Sequence, residues 1–149
     1  MALSALTTRP PLAVLDTNVV LDWLVFREPA VAPLAAAIGA GQIGWLACSG
    51  MRQELAQMLS HASLERWQPD AVAALACFDR LVTPAATPAL APALQLRCTD
   101  PDDQVFLDLA IACGARWLLS HDRAVLKLAR RAAGRGLAIL RPSDWHPSG

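Results

Sequence analysis

Short apolar runs recur along the chain, each ending in a polar turn and followed by a stretch of helical spacing. The sharpest is 12–24, LAVLDTNVVLDWL, in which Leu12 to Leu15 run into Asp16-Thr17-Asn18 and then into a second apolar stretch. That pattern predicts a strand buried on both faces, then a helix over 19–25 broken at Arg27-Glu28-Pro29. A second helix is predicted over 31–40, with Pro33 tolerable only in its first turn and Gly39 and Gly41 closing it. A buried strand follows over 42–48. Ser49 then reads as the N-cap of a helix over 51–61, whose apolar stripe is Met51, Leu55, Met58 and Leu59.

A helix over 70–80 and a short strand over 81–83 lead into 84–92, whose prolines and alanines mark an irregular connection. Asp100 before Pro101 reads as an N-cap followed by proline at the first helical position, with Gly114 as the C-terminal glycine. A strand over 115–119 ends in Ser120-His121-Asp122, repeating the strand-then-aspartate pattern of the opening. A last helix over 123–133 and a final strand over 137–140 complete the chain. Alternating strands and helices predict a three-layer α/β fold with a mostly parallel sheet of four to five strands. Residues 1–11 read as a flexible tail and 12–146 as a single domain.

Composition narrows the class. The chain has 149 residues, 54% of them apolar, enough for one core with helices on both faces of a sheet. No apolar run reaches the length of a membrane span, and the N-terminal residues lack a signal-peptide layout, so a cytoplasmic protein without membrane association is expected. The cysteines Cys48, Cys77, Cys98 and Cys113 show no CxxC pair and no zinc-like spacing with His61, His121 or His146, and read as buried small residues. Thirteen bases and thirteen acids cancel, which excludes a globally basic nucleic-acid binder.

The acids carry the chemistry. Asp16 and Asp122 each follow an apolar strand, Glu54 lies on the helix after another, and Asp103 opens the helix leading to the strand before Asp122. Each has a plain alternative as a cap or a first-turn acid favoured by the helix dipole. In a parallel sheet, however, all four would converge at the carboxyl ends of the strands, where ligands bind. Converging acids without matched bases call for a hard cation such as Mg²⁺, which binds a few carboxylates and leaves positions for phosphate oxygens. Asp102 and Asp103, adjacent and of like charge, add to that need.

The residues Leu15-Asp16-Thr17-Asn18-Val19 resemble the opening motif of PIN-domain ribonucleases, and the resemblance extends over about 13–145. Met51-Arg52-Gln53-Glu54-Leu55, Asp100-Pro101-Asp102-Asp103-Gln104-Val105-Phe106-Leu107, and Ser120-His121-Asp122 followed by Leu126 repeat the family's motifs in order. The nearest branch is that of toxins of toxin–antitoxin systems. The resemblance implies a PIN-like α/β/α fold and a ribonuclease that hydrolyses single-stranded RNA with Mg²⁺ or Mn²⁺. It places the metal-binding acids on Asp16, Glu54, Asp103 and Asp122. Asn18 and Ser120 match supporting positions, Asp100 is a further supporting acid, and His121 stands where the family often has Gly or Asn. A separate antitoxin chain and a homodimer are the expected partners.

Arg123, Lys127 and Arg130, with Arg131, recur at spacings that put them on one side of the last helix and make them the candidate RNA-binding face, with Arg52 and Arg97 next. A solvated stripe is the plain alternative. Two other functions compete: a PIN-like binding module without catalysis, and a haloacid-dehalogenase-type phosphatase with Asp16 as nucleophile. The phosphatase chemistry wants a second aspartate two residues on, where this chain has Asn18.

Overall fold

In the computed structural model, which describes residues 9–147, the apolar run after Pro11 forms strand β1 (Leu12–Leu15), with Ala13, Val14 and Leu15 buried. A strand covered on both faces belongs in the middle of a sheet. It lies there, flanked by β2 (Gly44–Ala47) with Ala13 opposite Trp45, and by β4 (Trp117–Leu119) with Ala13 opposite Trp117. β3 (Val82–Pro84) and β5 (Ala138–Leu140) form the two margins, giving the order β3-β2-β1-β4-β5 with every pairing parallel. Gly44 allows the close approach of the first pair: a Cβ there would lie 2.7 Å from a Leu12 methyl.

The helices are α1 (Thr17–Leu21), α2 (Ala32–Gly39), α3 (Ser49–Leu59), α4 (Ala71–Leu81), α5 (Gln104–Ala112), α6 (Arg123–Leu126) and α7 (Ala129–Ala133). From β1 the chain steps outward to β2 and β3, then returns to fill the other side with β4 and β5. Parallel connections are right-handed as a rule, so crossovers running in opposite directions from β1 put helices on both faces, which is the predicted α/β/α layering. The direction reverses beside β1, so the crevice beyond the carboxyl ends of β1 and β4 is where such a sheet offers a binding site. Trp23, Trp45 and Phe78 pack in series, with ring centroids 5.1 Å apart at each step, and Trp117 meets Trp145 at 5.6 Å.

Several elements differ from the sequence expectation. The first helix continues past Leu21 as a π-helical turn, Asp22–Phe26, and ends with Arg27 in the left-handed region at φ 56°. Glu28 N–H bonds back to the Asp22 carbonyl there, just before Pro29 prevents continuation. Ser49 is not the cap of its helix: α3 begins at Ser49 itself, and Cys48 stands at the N-cap position without a side-chain bond. The helix expected after Asp100 opens as a 3₁₀ turn, Pro101–Asp103, with α5 beginning at Gln104. Gly114 has φ +65°, as a C-terminal glycine requires.

The last helix is two short ones. Leu128 N–H bonds to Val125 at i−3, a tightening that separates α6 from α7 and lets Val125, Leu128 and Ala132 all reach the core. The candidate cations therefore lie on two segments, Arg123 on α6, Lys127 at its C-cap, and Arg130 and Arg131 on α7, all four exposed. The single helix stripe expected from their spacing is replaced by this broken surface. Of the expected tail, residues 1–8 lie outside the described residues, and Arg9 and Pro10 are exposed. No helix among the described residues is long and apolar enough to cross a membrane.

Candidate active site

Asp16 leaves β1 at the reversal point and caps α1, its Oδ1 accepting from Val19 N at 2.9 Å. Its other oxygen accepts from the hydroxyl of Ser120, a fully buried residue that leaves β4 next door. The Ser120 oxygen in turn accepts from Asp122 N at 3.0 Å. One hydroxyl thus ties together the turns after the two central strands. Asp16 is only 3% exposed, and burial pushes its carboxyl above the usual range against the lowering effect of these donors.

Glu54 sits on α3, across from Asp16. Burial raises its carboxyl, a hydrogen bond with the Thr17 side chain opposes the rise, and Asp102 and Asp16 add to it. Asp16, Thr17, Asn18, Glu54, Met58, Asp103 and Phe106 line a cleft of about 200 Å³. A larger cavity of about 420 Å³ lies between Trp23 and Trp67 but holds a single acid, Asp70, so the chemistry points to the smaller cleft.

Asp103 joins the cleft to a second group of acids. One carboxylate oxygen from each of Asp100, Asp103 and Asp122 lies within 4.8 Å of the others. Asp103 is raised to about 8, first by burial and then by the facing Asp122 carboxylate, with Asp100 and Asp16 adding repulsion. Asp122 is held below its usual value because Asp103 donates the shared proton to it, while its Oδ1 caps α6 by accepting from Ala124 N at 2.8 Å. Asp100 caps the 3₁₀ turn, accepting from Asp102 N at 3.0 Å.

Capping and convergence are therefore both true of Asp16, Asp100 and Asp122. Capping leaves unexplained the Oδ2 of Asp103, which is buried with no hydrogen-bond partner. The donor set is entirely carboxylate oxygen, which suits Mg²⁺ or Mn²⁺ and not a soft metal. An orphaned buried oxygen among mutually repelling carboxylates is what a bound cation would satisfy.

Asn18 is exposed at the cleft rim. His121 turns toward Asp22, Nε2 to Oδ2 at 2.5 Å, so this position contacts the π turn. Arg52 forks onto Asp79 at 2.7 and 2.9 Å, and Arg97 donates to Gln95 Oε1 at 3.3 Å, so both reserve cations are engaged. Sequence reasoning missed Thr17 as a partner of Glu54, Asp22 as a partner of His121, and Asp108. The signal for Asp108 was present: it is an acid inside the apolar helix QVFLDLAIA, and it is buried.

No curated protein sequence matches the chain. Among solved structures it resembles a chain in the crystal structure of VapBC2 from Rickettsia felis bound to a DNA fragment from their promoter. The TM-score is 0.57 at 18% identity, over 86% of this chain and 96% of that one, a likeness of fold. The profile of the PIN domain matches residues 12–124, from the start of β1 through Asp122. With that match spanning most of the sequence, the chain belongs to the PIN domain family.

Proposed function

We propose that the protein is a divalent-metal-dependent endoribonuclease that hydrolyses phosphodiester bonds of single-stranded RNA and acts as the toxin of a toxin–antitoxin pair. The observation that carries the reading is the orphaned Asp103 oxygen among converging carboxylates at the reversal point of the sheet. Asp16, Glu54, Asp103 and Asp122 hold Mg²⁺ or Mn²⁺; Asn18, Ser120 and Asp100 support them. A divalent ion held there supplies an acidified attacking water and positive field at the phosphate oxygens.

The chain's own residues prepare that chemistry. Ser120 fixes one oxygen of Asp16 and leaves the carboxylate no freedom to rotate. Asp103 holds a proton against Asp122 and must release it when the ion binds. Arg123, Lys127 and Arg130 draw the RNA backbone toward the cleft. Setting aside the four site acids, thirteen bases face nine acids, so the remaining surface attracts a polyanion once the site is neutralised. The likeness to a VapBC2 chain supports a separate antitoxin as partner, and pairing of two copies completes the proposal.

Cleavage of a labelled single-stranded RNA by the purified protein, with Mg²⁺, Mn²⁺ or EDTA, tests this directly. Asp16→Asn keeps the shape of the turn and removes a ligand charge worth several kcal/mol to the transition state, so the rate should fall about 10³-fold with the fold intact. Equal cleavage by wild type and variant, or full activity in EDTA, would sink the assignment. RNA binding with no cleavage in any metal would favour the non-catalytic binding module instead.

A further inference from the structure

The connection that precedes the acid loop has no regular structure between Ala85 and Ala91, yet it delivers Asp100 and Asp103 to the cluster. Gln104, the first residue of α5, spans its end. Its Nε2 donates to Leu96 O and to Asp108 Oδ1, both at 2.9 Å, and its Oε1 accepts from Cys98 N at 2.8 Å. Both N–H donors and the oxygen of the side-chain amide are engaged, and its orientation is settled by Asp108. Both oxygens of that buried carboxylate only accept, one from Gln104 and the other from Gln95 Nε2 at 2.8 Å. A flipped Gln104 amide would face its oxygen to Leu96 O and Asp108 and its nitrogen to Cys98 N–H, so no second arrangement competes.

We propose that Gln104, oriented by Asp108, is a positioning residue that clamps both ends of the loop from Cys98 to Asp103 and thereby sets the spacing of Asp100 and Asp103 in the carboxylate cluster. The inference rests on the metal-dependent reading above. It concerns residues that do not themselves enter the cluster: Asp108 lies in the core of α5, and the Gln104 amide is spent on the backbone of the loop. Buried groups that orient metal-binding side chains commonly change metal affinity about 10- to 100-fold when removed.

The test uses the full chain, with Mn²⁺ alone as the probe. Mn²⁺ affinity is read from the signal of free ion in electron paramagnetic resonance, and loop order from hydrogen exchange of the Cys98 amide. Gln104→Met keeps the length and loses all three bonds; Mn²⁺ should bind about tenfold more weakly and the Cys98 amide should exchange at least about tenfold faster. Gln104→Glu sets an acceptor against Leu96 O and Asp108 and should bind Mn²⁺ more weakly still. A simple gain of negative charge beside the cluster would tighten binding, so the sign separates a clamp from a field effect. Gln104→Glu with Asp108→Asn restores a donor between positions 104 and 108 and should recover affinity relative to Gln104→Glu alone. Where the Glu variant fails to fold, Gln104→Met carries the test. Mn²⁺ affinity within twofold of wild type in Gln104→Met, or unchanged Cys98 exchange, overturns the proposal. Failure of the wild-type protein to bind Mn²⁺ defeats the metal reading itself, and the clamp is then decided by Cys98 exchange alone.

Discussion

Replacing Asp103 with asparagine removes the carboxyl that burial and the facing Asp122 carboxylate raise from 3.8 to about 8. Between those values the folded protein holds a proton that the unfolded chain gives up, so stability falls as pH rises through the window, and the loss is complete above about pH 8. A shift of about four pH units corresponds to about 6 kcal/mol at full strength. Asp103 is partly open to solvent, and screening brings this down to about 2 kcal/mol. For a chain of this length that is about 4–8 °C in Tm. Asp16 and Glu54, also raised by burial, act in the same direction. The lowered Asp122 acts oppositely, but its stabilisation is lost only as pH falls toward its own value, below this window. Asparagine keeps the shape, has no proton to lose and can donate to Asp122. Between about pH 5.5 and pH 8.5 only the upper part of that window is crossed, so in EDTA the wild-type Tm should fall by about 2–5 °C more than that of Asp103→Asn. Millimolar Mg²⁺ or Mn²⁺ should raise the wild type at the alkaline end and leave the variant unmoved. A flat wild-type profile, or a variant less stable than wild type at about pH 8, would refute the reasoning.

Two further outcomes are expected. Ser120→Ala leaves a buried Asp16 oxygen and the Asp122 amide without their partner, so thermal unfolding should show a loss of about 1–3 kcal/mol, with weakened cleavage as well. In an Asp16→Asn background, Lys127→Ala and Arg130→Ala should each flatten the log–log salt dependence of RNA binding by about 0.7. Arg52→Ala, whose charge Asp79 already matches, should leave the slope unchanged; the reverse pattern would move the RNA path to the Arg52 side.

The layering was legible because β1 and β4 are short apolar runs that end in polar turns and alternate with helical stretches, as strands buried on both faces of a parallel sheet do; the strand order was not. That Asp16, Glu54, Asp103 and Asp122 would gather at one edge was legible for a related reason: in a parallel sheet, residues that follow strands meet there without any information about packing. What was not legible depends on contacts across the fold. Ser49 looks like a cap by composition, but the chain is already helical there. The Lys127–Leu128 break comes from the demand that Val125, Leu128 and Ala132 all reach the core, a tertiary requirement that helical spacing does not encode. Thr17 meets Glu54 from another element, and Gln104 bonds a loop whose path no periodicity predicts.

The margins of the sheet bear on how the chain can associate. β3 and β5 are three residues each; β3 ends on Pro84, which has no N–H to offer, and Pro142 follows shortly after β5. Neither margin presents a run of free backbone groups long enough to template a strand from another molecule. Short margins of this kind disfavour fusion of two sheets and strand-by-strand growth from the native state. Among the described residues the surface open to a partner is therefore mostly helix and loop, where side chains rather than backbone groups set the choice.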